Sequence, residues 1–325
     1  MKNHFKKLLL MALMAVMAVG LIACGTDKSD NESTKEEKTS VTITSLDASK
    51  NEIELEVPYN PKRIAILDLA SLDIIDELGV GDRVVGMAST SIDYLEKYSN
   101  DASIKNLGTI KEADLEAVME CEPDIIFIGG RLSKSYDALS EIAPVVYLAT
   151  DTNEGLVNSV SKNAKTIASI FGMEDKIDSL MSDFGARIDA IKKISSGKTA
   201  LVGMTTSGSF NLLGNDGRCS LIGVEAGFNN LTAVGSTSTH GNETSFETVV
   251  QQNPDYIFVM DRDSAISTAG AKTAKEIVEN ELVKTTDAYK NNHIIYLEHS
   301  NVWYTAEGGI QALDIMLTDI EKGLK

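Results

Sequence analysis

Little in this chain of 325 residues points to covalent chemistry. It has three cysteines, and only Cys121 and Cys219 follow position 24. They fall in what read as different lobes, where a disulfide would oppose hinge motion, so two separate thiols are expected and no cysteine-built metal site. A Gly-rich phosphate loop with Lys-Ser/Thr, a His-Glu-x-x-His pair and a Gly-x-Ser-x-Gly elbow are all missing. Acidic residues are so numerous that no pair stands out as an acid–base dyad. A surface hydrolase would need a nucleophile beside a base, and no such pair is apparent; a protein that is not an enzyme is expected. Positive charge is also short, with 30 Lys and Arg against 48 Asp and Glu. Without Lys2, Lys6 and Lys7 the balance is 27 against 48, near −21, which argues against nucleic acid or an anionic lipid surface as partner.

The first forty residues stand apart. Residues 1–23 read as a signal peptide: three lysines, then an apolar run from Leu8 to Ile22 that is too short to span a membrane. Leu21-Ile22-Ala23-Cys24 resembles a bacterial lipobox, with Cys24 as the lipidated residue; an ordinary secretory signal is the alternative. Residues 24–40, rich in Ser, Thr, Lys and Glu and without an aromatic residue, cannot bury enough apolar surface to fold and read as a flexible tether. Lipid and tether together imply anchorage to the outer face of a bacterial cell membrane.

What is there in abundance is a duplication. Leu115-Glu116-Ala117-Val118-Met119-Glu120-Cys121-Glu122-Pro123-Asp124-Ile125-Ile126-Phe127-Ile128 matches Phe246-Glu247-Thr248-Val249-Val250-Gln251-Gln252-Asn253-Pro254-Asp255-Tyr256-Ile257-Phe258-Val259, offset by 131 residues. Each copy reads as a helix end, a Pro-Asp corner and a buried strand, and three residues later comes Arg131 or Arg262. Around these units strands alternate with helices, so two α/β lobes with parallel-rich sheets are expected, residues 41–152 and 196–325. An edge hairpin, Val41 to Val57, precedes the first. Residues 153–195 show helical spacing only. A helix over Glu174–Lys193 would be roughly 30 Å long, a stiff strut between lobes. A final helix is expected over Thr305–Glu321.

Three arginines are candidates for a ligand site. Arg131 and Arg262 follow equivalent strand ends, where open α/β sheets place their ligands, and Arg218 lies in the loop Gly214-Asn215-Asp216-Gly217-Arg218. A guanidinium is permanently charged and offers a planar fork of donors, suited to an oxygen-rich anion. His240 lies in a small-residue loop and Tyr304 between a strand and a helix. Taken alone, each is more often a structural residue than a ligand, although imidazole is a common metal ligand and a phenolate oxygen suits Fe³⁺. Structural roles are favoured for His293 and His299.

From about residue 55 onward the chain resembles the substrate-binding lipoproteins of iron-siderophore ABC importers, the class whose lobes are joined by one long helix, and within it the binders of ferric catecholates, including the petrobactin type. The resemblance rests on Pro61-Lys62-Arg63-Ile64-Ala65-Ile66-Leu67-Asp68, Gly130-Arg131-Leu132-Ser133-Lys134-Ser135-Tyr136, Ser238-Thr239-His240-Gly241, Asn253 to Arg262, and Ile294-Ile295-Tyr296-Leu297 with Trp303-Tyr304. It implies two Rossmann-like lobes, a cleft between them, and capture of a ferric catecholate siderophore for delivery to an ABC permease. Arg131, Arg218 and Arg262 would hold catecholate oxygens. His240 and Tyr304 would bind the iron when the siderophore leaves two coordination sites free. Asp73 and Glu247 would dock the two permease subunits. No permanently bound cofactor is implied, only the Fe(III)-siderophore as cargo, and a monomer is expected. A haem- or corrinoid-binding protein of the same fold is the alternative. The chain departs from the pattern at Cys219, where relatives usually carry an aromatic residue and glycine, and at Ala306-Glu307, which adds an acid near the cleft mouth.

Overall fold

Apolar runs too short for helices become strands buried on both faces. β1 (Ser40–Leu46) and β2 (Glu52–Pro58) are followed by β3 (Ile64–Leu67), β4 (Val84–Met87), β5 (Lys105–Asn106), β6 (Ile125–Ile128) and β7 (Val145–Tyr147). Every residue of β3 and β6 is fully buried, the signature of central parallel strands. The order is β5-β4-β3-β6-β7, all parallel. A second sheet holds β8 (Thr199–Thr206), β9 (Ser209–Leu212), β10 (Asn229–Asn230), β11 (Asn242–Glu243), β12 (Tyr256–Asp261) and β13 (Ile294–Tyr296). Its order is β11-β9-β8-β12-β13, with β10 also on β8; β9 runs antiparallel to both neighbours. The computed structural model describes residues 38–233 and 235–325, one compact unit. The expected signal segment, Cys24 and the tether up to residue 37 lie outside the described residues.

The hairpin β1–β2 is a sheet of its own rather than an edge of the first one. It is held to β7 by a side chain: Ser45 Oγ accepts the Tyr147 N–H at 3.0 Å.

The duplication is legible in atomic detail. The helix Leu115–Glu120 is capped by Asp114, and its counterpart Phe246–Gln252 by Ser245. Glu122 and Asn253, each just before the proline, both adopt left-handed backbone with φ of 44° and 40°. Both Pro-Asp corners then do the same work. Asp124 Oδ2 accepts the N–H groups of Lys62 and Arg63 at 2.7 and 2.9 Å; Asp255 Oδ2 accepts the N–H and hydroxyl of Thr199 at 2.8 and 2.9 Å. Each corner thereby fixes the entry of the neighbouring strand, β3 or β8, with bonds worth about 1 kcal/mol apiece at these partly solvated positions.

Between the sheets runs the helix Leu156–Phe171, whose 16 residues span about 24 Å. Leu156, Val160, Ala164, Ile167 and Phe171 form its buried stripe, and Gly172, at φ 66°, ends it with a left-handed cap. The single helix expected over Glu174–Lys193 is instead two, Glu174–Leu180 and Phe184–Ser195. Ser182 Oγ donates to the Ser179 carbonyl at 2.8 Å, the local competition with the backbone that Ser and Asp bring to a helix. The buried residues Ile177, Phe184, Ile188 and Ile191 keep helical spacing across the break, which is why the pattern reads as continuous.

The last helix begins at Ile310, five residues later than expected, because a short helix, Ser300–Thr305, precedes it and Ala306–Gly309 separates the two. Its N-terminus is capped from the other half of the molecule. Asp73, on the helix Leu69–Glu77, accepts the N–H groups of Gln311 and Ala312 at 3.0 and 2.9 Å and the Tyr94 hydroxyl at 2.6 Å. A Cβ on Gly309 would lie 2.4 Å from the Asp73 Cγ, so only glycine admits this approach. Asp73 is 1% exposed, and a carboxylate so enclosed and engaged has no reach toward another protein. The docking role expected of Asp73 is therefore corrected: it clasps the two halves together.

Candidate functional site

Tyr304 is the centre of the site, and its position is set in layers. Asp319, buried on the terminal helix, accepts the Trp303 indole N–H at 2.9 Å and lies 2.7 Å from His299 Nδ1. These bonds lock the short helix Ser300–Thr305 that carries Tyr304, which is 4% exposed. The sequence places this tyrosine in a loop; it sits in the last turn of that helix instead. Glu298 joins His299 and Asp319 in a group close enough for a metal ion, but Glu298 is paired with Lys322 at 2.7 Å and Asp319 already serves two partners.

Three guanidinium groups from three separate segments converge on the Tyr304 ring. The carbon of Arg218 lies 4.5 Å from the ring centroid, that of Arg131 5.4 Å and that of Arg262 5.7 Å. Arg131 enters from the turn after β6 and donates to the Tyr304 carbonyl at 3.1 Å. Arg262 enters from the turn after β12 and donates through Nε to the Tyr304 hydroxyl at 3.2 Å. It also reaches Thr206 Oγ1 at 3.1 Å and the buried Asp263 at 3.2 Å. Arg218 donates to the Thr239 carbonyl at 2.9 Å. The Arg218 loop is pinned to the loop before His240: Asp216 Oδ2 accepts the Thr237 N–H at 2.8 Å, and Thr237 Oγ1 accepts the Gly214 N–H at 2.9 Å. The three like charges are held there by the Tyr304 and Thr239 carbonyls and, for Arg262, by Asp263, Thr206 and the Tyr304 hydroxyl, and their mutual repulsion favours an anionic guest.

The field tunes its neighbours. Burial would raise the Tyr304 hydroxyl, but the Arg262 hydrogen bond and the charges of Arg218, Arg262 and Arg131 outweigh it and hold that group below the ordinary tyrosine range. His240 is largely exposed; the partial desolvation of its ring, then the charges of Arg262, Arg218, Lys111 and Arg131, keep its imidazole below the usual histidine value. It is thus biased toward the neutral form that binds metals. Both shifts favour the states in which these side chains donate lone pairs.

A cavity of about 220 Å³ lies beside Arg131 and Arg218, lined also by Asp68, Gly129, Gly130, Tyr304 and Glu307 among others. A larger one of about 610 Å³ lies against the hairpin and the helix Leu156–Phe171 and shares Arg218 and Glu307 with the first. The smaller is the chemically pointed one, since Arg131 and Tyr304 line it and not the larger.

All five ligand-site residues singled out by sequence thus gather in one region; Cys121 and Cys219 are free and buried. Glu247 is exposed in the first turn of Phe246–Gln252. Sequence reasoning left out its structural equivalent. The offset of 131 pairs Glu247 with Glu116, which is exposed in the first turn of Leu115–Glu120; the repeat itself was the signal that could have found it.

Residues 64–300 match the family model described as periplasmic binding protein. The chain is 36% identical to the petrobactin-binding protein YclQ of Bacillus subtilis, over 98% of this chain and 99% of that protein. It is 27% identical to the ferric-anguibactin-binding protein FatB of Vibrio anguillarum, over 82% and 84%. The crystal structure of YclQ superposes with a TM-score of 0.81 at 35% identity, covering 88% of this chain and 99% of that one. The catecholate-siderophore binding protein VctP of Vibrio cholerae gives 0.78 at 30% identity, covering 87% and 100%. With its paired α/β sheets and long linking helix, the chain belongs to the periplasmic binding protein family.

Proposed function

We propose that this protein captures a ferric catecholate siderophore in the cleft between its two sheets and delivers it to an ABC permease for iron uptake. The observation that carries this reading is the convergence of Arg131, Arg218 and Arg262 on Tyr304. Catecholate oxygens around Fe³⁺ are dense, anionic acceptors, and guanidinium forks match them. A bis-catecholate leaves the ferric complex near −1 and fills four of six sites; a tris-catecholate leaves it near −3. Three fixed positive charges balance either. On entry, Arg131 and Arg262 exchange their Tyr304 contacts for ligand oxygens, which frees the phenol oxygen. Tyr304 and the neutral imidazole of His240 then complete a tetradentate ferric complex. The similar proteins YclQ, which binds petrobactin, and VctP, which binds a catecholate siderophore, support the same class.

The iron complex is cargo rather than a resident cofactor. In this reading Cys24 carries the lipid anchor on the outer face of the membrane, and the protein works as a monomer. Glu116 and Glu247, equivalent carboxylates exposed one on each half, meet basic residues of the two permease subunits.

Trp303 is the one tryptophan of the chain, fully buried beside Tyr304, so its quenching reports cleft occupancy. Titration with a panel of ferric siderophores is expected to show quenching by bis- and tris-catecholates below micromolar levels and none by hydroxamates. Equal response to both types would defeat the catecholate assignment, and a Soret band in the purified protein would indicate haem instead.

A further inference from the structure

Glu307 lies three residues beyond Tyr304, in the break before the terminal helix. Glu307 and Arg218 line both cavities and, with Leu148, Ala149, Thr150 and Asn163, form the wall between them. Glu307 Oε1 accepts the Cys219 N–H at 2.9 Å. Cys219 directly follows Arg218 and holds left-handed backbone at φ 61°. The two positions at which this chain departs from the pattern it resembles are therefore bonded to each other. Burial pushes the Glu307 carboxyl up to about 7; the Cys219 N–H and the charges of Arg218 and Arg131 act against that rise, and Glu225 adds to it. Asp68 and Asp216 also line the walls beside it. In mildly alkaline solution the group is ionised.

We propose that Glu307 is a specificity-determining residue that lowers the positive charge of the arginine cleft and so favours ferric chelates of low negative charge over highly charged ones. This inference rests on the catecholate reading of the cleft. A fixed carboxylate repels each guest in proportion to the guest's charge, so a complex near −3 suffers about three times the repulsion of one near −1. The bond to Cys219 ties that carboxylate to the loop bearing Arg218, so the two opposite charges stay together when a ligand enters. Position and charge are separable. Glutamine keeps an acceptor oxygen for the Cys219 N–H and loses the charge; aspartate keeps the charge and, one methylene shorter, loses the bond.

The test compares Glu307→Gln, Glu307→Asp and the unsubstituted protein at pH 8 by Trp303 quenching. The probes are the ferric complexes of a synthetic bis-catecholamide and a synthetic tris-catecholamide. Glu307→Gln is expected to tighten the tris-catecholate by about tenfold more than the bis-catecholate, while Glu307→Asp keeps the original preference. An affinity ratio unchanged in Glu307→Gln overturns the proposal, as does an equal change in both variants, since only Glu307→Gln removes the charge; a change confined to Glu307→Asp would mark a positional role alone. Binding of both complexes with an unaltered ratio removes only the role of Glu307. Binding of neither complex by the unsubstituted protein removes the catecholate reading with it.

Discussion

Arg131 and Arg262 occupy the same step of a duplicated strand and turn, yet their surroundings differ. Arg262 is half-buried, paired with Asp263 and hydrogen-bonded to the Tyr304 hydroxyl and Thr206. Arg131 is exposed and touches the same tyrosine through its carbonyl. The duplication conserved where the guanidinium emerges, because the strand, the proline corner and the capped helix fix the backbone. It did not conserve what each guanidinium holds. The C-terminal copy is braced by Asp263 and Thr206 as it turns from the tyrosine to a guest, and the N-terminal copy turns from the tyrosine carbonyl.

That contrast can be broken experimentally. Arg262→Ala should have the largest effect, about 3 kcal/mol or some 100-fold weaker binding of ferric catecholates, because it also strands the buried Asp263. It should lower the melting temperature as well. Arg131→Ala should cost about 1.5–2 kcal/mol in binding and leave the melting temperature unchanged. Equal effects of the two on both quantities would erase the distinction between the copies. Next in size, His240→Ala and Tyr304→Phe should weaken tetradentate complexes more than hexadentate ones in the same titration. Identical losses for both ligand types would show that neither side chain touches the metal.

The two halves also differ in how they are held. Asp73 is pushed up to about 6 by burial, against its hydrogen bonds from Tyr94, Gln311 and Ala312. Its folded value lies above the unfolded one near 3.8, so the folded state binds the extra proton between those values. This residue's contribution to stability therefore increases as pH falls from about 6 toward 4, and diminishes as pH rises through that window. In pH-dependent denaturation, Asp73→Asn should flatten that segment of the curve relative to the unsubstituted protein. The smallest effects should come from Asp124→Ala and Asp255→Ala, about 1–3 kcal/mol of stability each and similar to one another. A large asymmetry would mean that the two Pro-Asp corners are not equivalent supports.

Much of this was legible in the sequence because the duplication supplied its own internal alignment. A repeat at constant offset fixed the strands, the corners and two of the three arginines. The break at Ser182-Asp183 was hidden because the buried stripe runs through it. The role of Asp73 was hidden because it depends on the terminal helix, some 240 positions along the chain, beginning at Ile310. No local pattern reports such a contact. Glu307 was visible as an odd acid but not as a partner of Cys219, since nothing in one dimension brings positions 219 and 307 together.

The most direct test is the crystal structure of the protein loaded with a ferric bis-catecholate. The expected result is Arg131, Arg218 and Arg262 donating to catecholate oxygens, with Tyr304 and His240 on the iron. Guanidinium groups turned outward into solvent, or iron bound with Tyr304 still enclosed, would contradict it.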